Sequence, residues 1–86
     1  MYKVDLSKKA EQFYRRTDRP LARKLARWFE QLERDPRNHN NVKPLSGKLA
    51  GTFRYRVGDH RVLYQIDDLR KTVFIVSIAH RGEAYN

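Results

Sequence analysis

The spacing of apolar and polar residues changes period twice along this 86-residue chain. At the start, Tyr2, Val4 and Leu6 alternate with Lys3 and Asp5, which predicts a short strand with those three side chains on one face. Ser7 follows where a helix N-cap would stand. Over Lys8 to Arg16 the apolar residues Ala10, Phe13 and Tyr14 fall at i, i+3 and i+4, one face of a helix. Thr17-Asp18-Arg19-Pro20 interrupts the pattern, with Asp18 able to cap a second helix and Pro20 tolerated in its first turn. Leu21, Leu25, Trp28, Phe29 and Leu32 then recur at helical spacing until Asp35-Pro36 ends the run, while Arg19, Arg23, Lys24, Arg27, Glu30, Glu33 and Arg34 fill the remaining positions. A helical hairpin with one apolar seam is the expectation.

Residues 36 to 52 carry Pro, Asn and Gly at breaker density and predict a long connection, pinned to the core by Leu45 and Leu49. Beyond it the period is 2. Phe53, Tyr55 and Val57 alternate with Arg54 and Arg56, Gly58-Asp59 suits a two-residue turn, and His60 to Ile66 is again strand-like. Asp67 to Lys71 forms the next turn, and Thr72 to Ala79 is the most β-prone run of the chain. The order strand, helix, helix, three strands predicts one α+β domain over residues 1–86. Its two-helix hairpin packs on one face of a four-stranded, largely antiparallel sheet.

Charge narrows the partners. Nineteen Lys and Arg face ten Asp and Glu, a net charge of +9, and the cations run from Lys3 to Arg81 among core residues. A folded surface this basic repels itself unless a polyanion belongs to the working state, so nucleic acid, the ribosome or an acidic protein are the candidate partners. With no cysteine there is no disulfide and no thiolate zinc site, and His39, His60 and His80 lack metal-ligand spacing. Asp67-Asp68, the one carboxylate pair, sits in a turn without calcium-loop spacing, and Ser46-Gly47-Lys48 lacks the Gly-rich loop of a P-loop. No metal or small-molecule cofactor is expected. The longest apolar run, Val73 to Ile78, is too short to span a bilayer, and the N-terminus lacks the apolar stretch of a secretion signal, so a soluble cytoplasmic protein is the default.

A tight hairpin at Gly58-Asp59 makes Val57 face His60, Arg56 face Arg61, Tyr55 face Val62 and Arg54 face Leu63. Arg54, Arg56 and Arg61 would then project together, opposite the face of Phe53, Tyr55, Val57, Val62, Tyr64 and Ile66 that lies under the helices. Like charges opposite each other destabilise a ladder. Guanidinium forks in that arrangement suit phosphate, although a solvated basic sheet face is the plain alternative. His80, Arg81, Glu83 and Tyr85 follow the last strand and could reach the same end of the sheet. Such a set suits RNA cleavage through the 2′-hydroxyl, in which one group takes the proton, cations stabilise the phosphorane and another group protonates the leaving oxygen. The basic positions of the second helix read as a solvated face, with steering towards RNA as their other use.

Lys43 to Ile66, KPLSGKLAGTFRYRVGDHRVLYQI, and the ending Ile78 to Tyr85, IAHRGEAY, resemble the RelE family within the RelE/ParE superfamily of toxin-antitoxin toxins. The resemblance covers nearly the whole chain. It implies a ribosome-dependent endoribonuclease that cuts messenger RNA in the decoding site, is restrained by a cognate antitoxin, and meets operator DNA only through that antitoxin. By motif, Arg61 would stabilise the scissile phosphate, Arg81 the transition state or leaving group, and Tyr85 would orient the nucleotide. Arg54, Arg56 and Lys48 would bind phosphate. Arg54 and Arg56 stand where RelE-type toxins place paired lysines, and because arginine hardly serves as a base, His80 is the expected proton acceptor. No long C-terminal helix is expected after Tyr85. ParE-like gyrase inhibition and noncatalytic RNA or ribosome binding are the alternatives.

Overall fold

The computed structural model describes residues 1–80. Strand β1 (Lys3–Leu6) leads into α1 (Lys8–Arg16) and α2 (Arg19–Arg34). Then come β2 (Val42–Pro44), a 3-10 turn at Gly47–Leu49, β3 (Thr52–Val57), β4 (His60–Asp67) and β5 (Thr72–His80). Both helices begin where a side chain caps them: Ser7 Oγ accepts from the Ala10 amide at 3.0 Å, and an Asp18 carboxylate oxygen accepts from the Leu21 amide at 2.9 Å.

The sheet has five strands in the order β1-β5-β4-β3-β2, one more than expected, and β1 lies parallel to β5 while the other pairs are antiparallel. The extra strand is β2, hidden in the sequence by Pro44 and the breakers around it. Proline is acceptable there because β2 is an edge, where a missing N–H costs no ladder bond. The connection is pinned less than expected as well. Leu45 is half-buried and its amide bonds to the Thr52 carbonyl at 2.9 Å, but Leu49 is 40% exposed because the 3-10 turn lifts it off the domain.

The helices cover one face of the sheet. Leu25, Leu32, Val62, Tyr64, Val73 and Ile75 are fully buried between the layers, each aliphatic one contributing about 1.5–3 kcal/mol of transfer free energy. Trp28 stacks on Tyr55 with centroids 4.1 Å apart and meets Tyr64 edge-on at 5.3 Å, so α2 is keyed onto β3 and β4. Tyr64 keeps its buried hydroxyl satisfied by donating to the Pro36 carbonyl at 2.8 Å, and burial pushes its pKa up.

Candidate functional site: a basic face on the sheet

The β3–β4 hairpin places the arginines. Gly58, at φ 55, takes the first turn position, where a left-handed conformation excludes most other residues, and the register is Val57 with His60, Arg56 with Arg61, Tyr55 with Val62 and Arg54 with Leu63. Alternation then puts Arg54, Arg56 and Arg61 on the face away from the helices, as expected. Across the sheet they form two rows, Lys43–Arg54–Leu63–Ser77 and Arg56–Arg61–Ala79. Lys43 is the member that sequence reasoning missed, since only the unread strand β2 brings it beside Arg54.

The rows have relief. Leu63, although on the outer face, is only 8% exposed, Arg54 and Arg61 are half-buried beside it, and Ser77 and Ala79 are small. Arg56 stands exposed. The Arg54 Nε is buried with no hydrogen-bond partner among the described residues, and the Arg61 Nε is buried too. A buried donor left unsatisfied costs free energy, and the Arg56–Arg61 cross-strand pair adds like-charge repulsion. An oxyanion with several acceptor oxygens would relieve both. Lys48 lies exposed on the 3-10 turn.

His80, expected at the same end of the sheet as these arginines, lies at that end but on the other face. The reason is one residue. Val73 and Ile75 point into the core, and uninterrupted alternation would carry His80 outward; but Val76 is an unpaired extra residue, because Tyr64 pairs with Ile75 and Leu63 with Ser77. Past this bulge Ile78 turns inward, and His80, although exposed, lies on the same face of the sheet. Ser7, the cap of α1, also donates its hydroxyl to the Val76 carbonyl at 2.7 Å, which ties the bulge to the helix layer. His80 pairs across the strands with His60, their rings edge-to-face at 5.2 Å, and His60 meets Phe13 at 5.6 Å. Both histidines border a shallow cavity of about 330 Å³ shared with Asp18, Lys24 and Asp59. Arg81, Glu83 and Tyr85 lie outside the described residues.

Away from the site, Asp67 and Asp68 serve the fold. Asp68 accepts two hydrogen bonds from Arg37, at 3.0 and 2.8 Å, and one from the Tyr2 hydroxyl, fastening the β4–β5 turn to the segment after α2. The Arg37 bonds hold its carboxyl well below the usual range, at about 2. Among the described residues no cluster of three or more His, Cys, Asp or Glu could hold a metal ion. No helix among them is long and apolar enough to cross a membrane.

Residues 4–85 match the family model for the ParE toxin of the type II toxin-antitoxin system parDE. The RelBE2 toxin-antitoxin complex of Mycobacterium tuberculosis contains a chain 33% identical to this one, at a TM-score of 0.80 over 93% of this chain and 98% of that one. This chain belongs to the RelE/ParE family of type II toxin-antitoxin toxins. The toxin is also similar to a chain of the archaeal RelE–RelB complex of Pyrococcus horikoshii, 26% identical with a TM-score of 0.83, covering 96% and 98% of the two chains. It is 46% identical over 57 residues to a toxin named RelG from M. tuberculosis, covering 66% of this toxin. The match spans 63% of that relative, less than two thirds of its length. The two structural likenesses cover nearly all of this chain, helical hairpin and sheet alike.

Proposed function

We propose that this toxin cleaves messenger RNA on the ribosome by attack of the 2′-hydroxyl on the adjacent phosphate, and that a cognate antitoxin restrains it. The observation that carries this reading is the Arg56–Arg61 cross-strand pair, flanked by Arg54 and Lys43 around the buried Leu63. Cations gathered in this way, with the Nε of Arg54 and of Arg61 already out of water, are preorganised for the charge that builds on a phosphorane. Arg61 is assigned to the scissile phosphate, Arg54, Arg56 and Lys43 to the strand's backbone, with Lys48 as an outlying contact. Arg81 and Tyr85, by the family motif, complete the site as leaving-group stabiliser and nucleotide platform. None of these roles needs a metal.

His80 takes a different role from the one its position in sequence suggests. Held against His60 on the helix side, it is a positioning residue. The antitoxin reading draws on the solved relatives, which are toxin-antitoxin complexes, and on a charge of +9 that an acidic partner would complement.

The test is single-turnover cleavage of messenger RNA bound to ribosomes, with the ends of the products analysed. Arg61→Ala should lose on the order of a hundredfold in rate, and the parent should leave 2′,3′-cyclic phosphates. The matching model bears the ParE name, and gyrase inhibition is the second reading: intact messages together with gyrase-dependent DNA damage would select it.

A further inference from the structure

We infer that the exposed side of α2 is a second RNA-backbone contact, in which Arg19, Arg23, Arg27 and Arg34 follow phosphates of a folded RNA while the sheet face engages the strand to be cut. This rests on the reading of the toxin as RNA-directed, and adds a surface that the cleavage chemistry does not use.

Leu21, Leu25, Trp28 and Leu32 fix the buried stripe of α2, and at about 100° per residue the four arginines fall in one arc opposite it. All four are exposed. From Arg19 to Arg34 they extend over roughly 22 Å at about 1.5 Å per residue. The arrangement breaks two local rules. Past the Asp18 cap, the first turn of α2 has no acidic residue and instead carries Arg19, near the positive end of the helix dipole, while Arg19, Arg23 and Arg27 repeat like charges at i, i+4. Glu30 stands in the same arc, but among the described residues no ion pair joins it to these arginines. The ion pairs among the described residues use Lys3, Arg15, Arg37 and Arg70, none of them from α2, whereas α1 pairs Arg15 with Glu11. Local choices that oppose the element they sit in point to a ligand.

The chemistry of that ligand follows from what the ridge lacks. The exposed large apolar residues are Met1, Leu49, Leu69 and Phe74, so α2 offers no apolar anchor of the kind a protein interface is built around. A polyanion needs none. RNA rather than another polyanion follows from continuity: Lys24 and Arg27 share a cleft of about 310 Å³ with Arg56, so the ridge runs around the hairpin into the basic sheet face.

The experiment compares two triple variants that each remove three positive charges. One is R19Q/R23Q/R27Q; the other, K3Q/K9Q/R70Q, removes cations outside α2. Glutamine is a good helix former, and thermal melting verifies that both fold. Each is titrated with a roughly 16-base-pair RNA duplex from about 50 to about 200 mM salt. The ridge predicts that the slope of log affinity against log salt falls by about 2 to 3 in the first triple and by less than about 1 in the second, with affinity at low salt down at least about tenfold in the first alone. Arg23→Gln by itself should lower the slope by about 0.9. Equal losses in both triples, or no loss in the first, would overturn the ridge. So would a first triple that keeps RNA binding but loses affinity for polyglutamate, since the surface would then serve an acidic protein. Cleavage by the parent is scored separately: a toxin that cuts nothing yet shows the α2-specific slope keeps the ridge and loses the nuclease reading.

Discussion

The two faces of this sheet are made by the same strands and obey opposite rules. On the helix side, Tyr55, Val62, Tyr64, Val73, Ile75 and Ile78 are buried, and the buried Tyr64 hydroxyl has its acceptor. On the outer side Arg54, Arg56 and Arg61 gather around Leu63, two of them with a buried Nε and two directly opposite each other. One face buries apolar side chains against the helices; the other gathers like charge around a single buried leucine. Stability and ligand binding should therefore separate by face: arginine substitutions on the outer side should cost binding far more than stability, and substitutions in the core the reverse.

The largest effect belongs to the core. Leu25 is fully buried, so Leu25→Ala should cost about 2–5 kcal/mol of unfolding free energy in a urea titration, much of what a domain of this size possesses. Arg61→Ala, the variant of lowest expected cleavage, should lose less than about 1 kcal/mol of unfolding free energy, because the residue is only half-buried and its removal relieves repulsion with Arg56. If Arg61→Ala unfolds as readily as Leu25→Ala, the division between the faces fails.

Acid should separate paired charge from gathered charge. Asp68 has a native pKa of about 2 against an ordinary 3.8, held down chiefly by the Arg37 hydrogen bonds. A depressed carboxyl pKa stabilises the fold above the unfolded value, and that stabilisation is lost as pH falls through about 3.8 towards 2. Melting temperature should drop over that window, and Asp68→Asn should drop less from its own starting value. Parallel curves for the two proteins would show that the Arg37–Asp68 fastening contributes nothing. Smaller still is Arg56→Gln, on an exposed residue: relief of the cross-strand repulsion should raise stability by about 0.2–1 kcal/mol while RNA affinity falls.

The parts of the fold governed by local period were legible in the sequence. Both helices, their capping residues Ser7 and Asp18, and the β3–β4 register can each be read from spacing and turn chemistry, and that register alone assembles Arg54, Arg56 and Arg61. What escaped depends on contacts between distant segments. Strand β2 exists because three residues find an edge on β3, and with it came Lys43. The bulge left one trace, the uneven inward spacing of Val73, Ile75 and Ile78, two then three residues apart. Strict alternation does not produce that spacing, and the extra residue decides which face receives His80.

The smallest predicted effect turns on that single residue. A histidine that takes the 2′-hydroxyl proton must be neutral, so its contribution would grow as pH rises through its titration, and its removal would cost on the order of a hundredfold or more. A histidine that only ends β5 against His60 gives a different signature. His80→Ala should then slow single-turnover cleavage by less than about fivefold, well short of a general base, and the ratio of parent to variant rates should stay flat from about pH 5.5 to about pH 8, spanning the ordinary histidine pKa. His80→Phe, which keeps an aromatic edge for His60, should recover most of the loss, because ring packing and not proton transfer is what the position supplies. A ratio that climbs with pH, with no recovery in the phenylalanine variant, would return His80 to the arginine face in the reacting complex and would require the strand end to turn over beyond Val76.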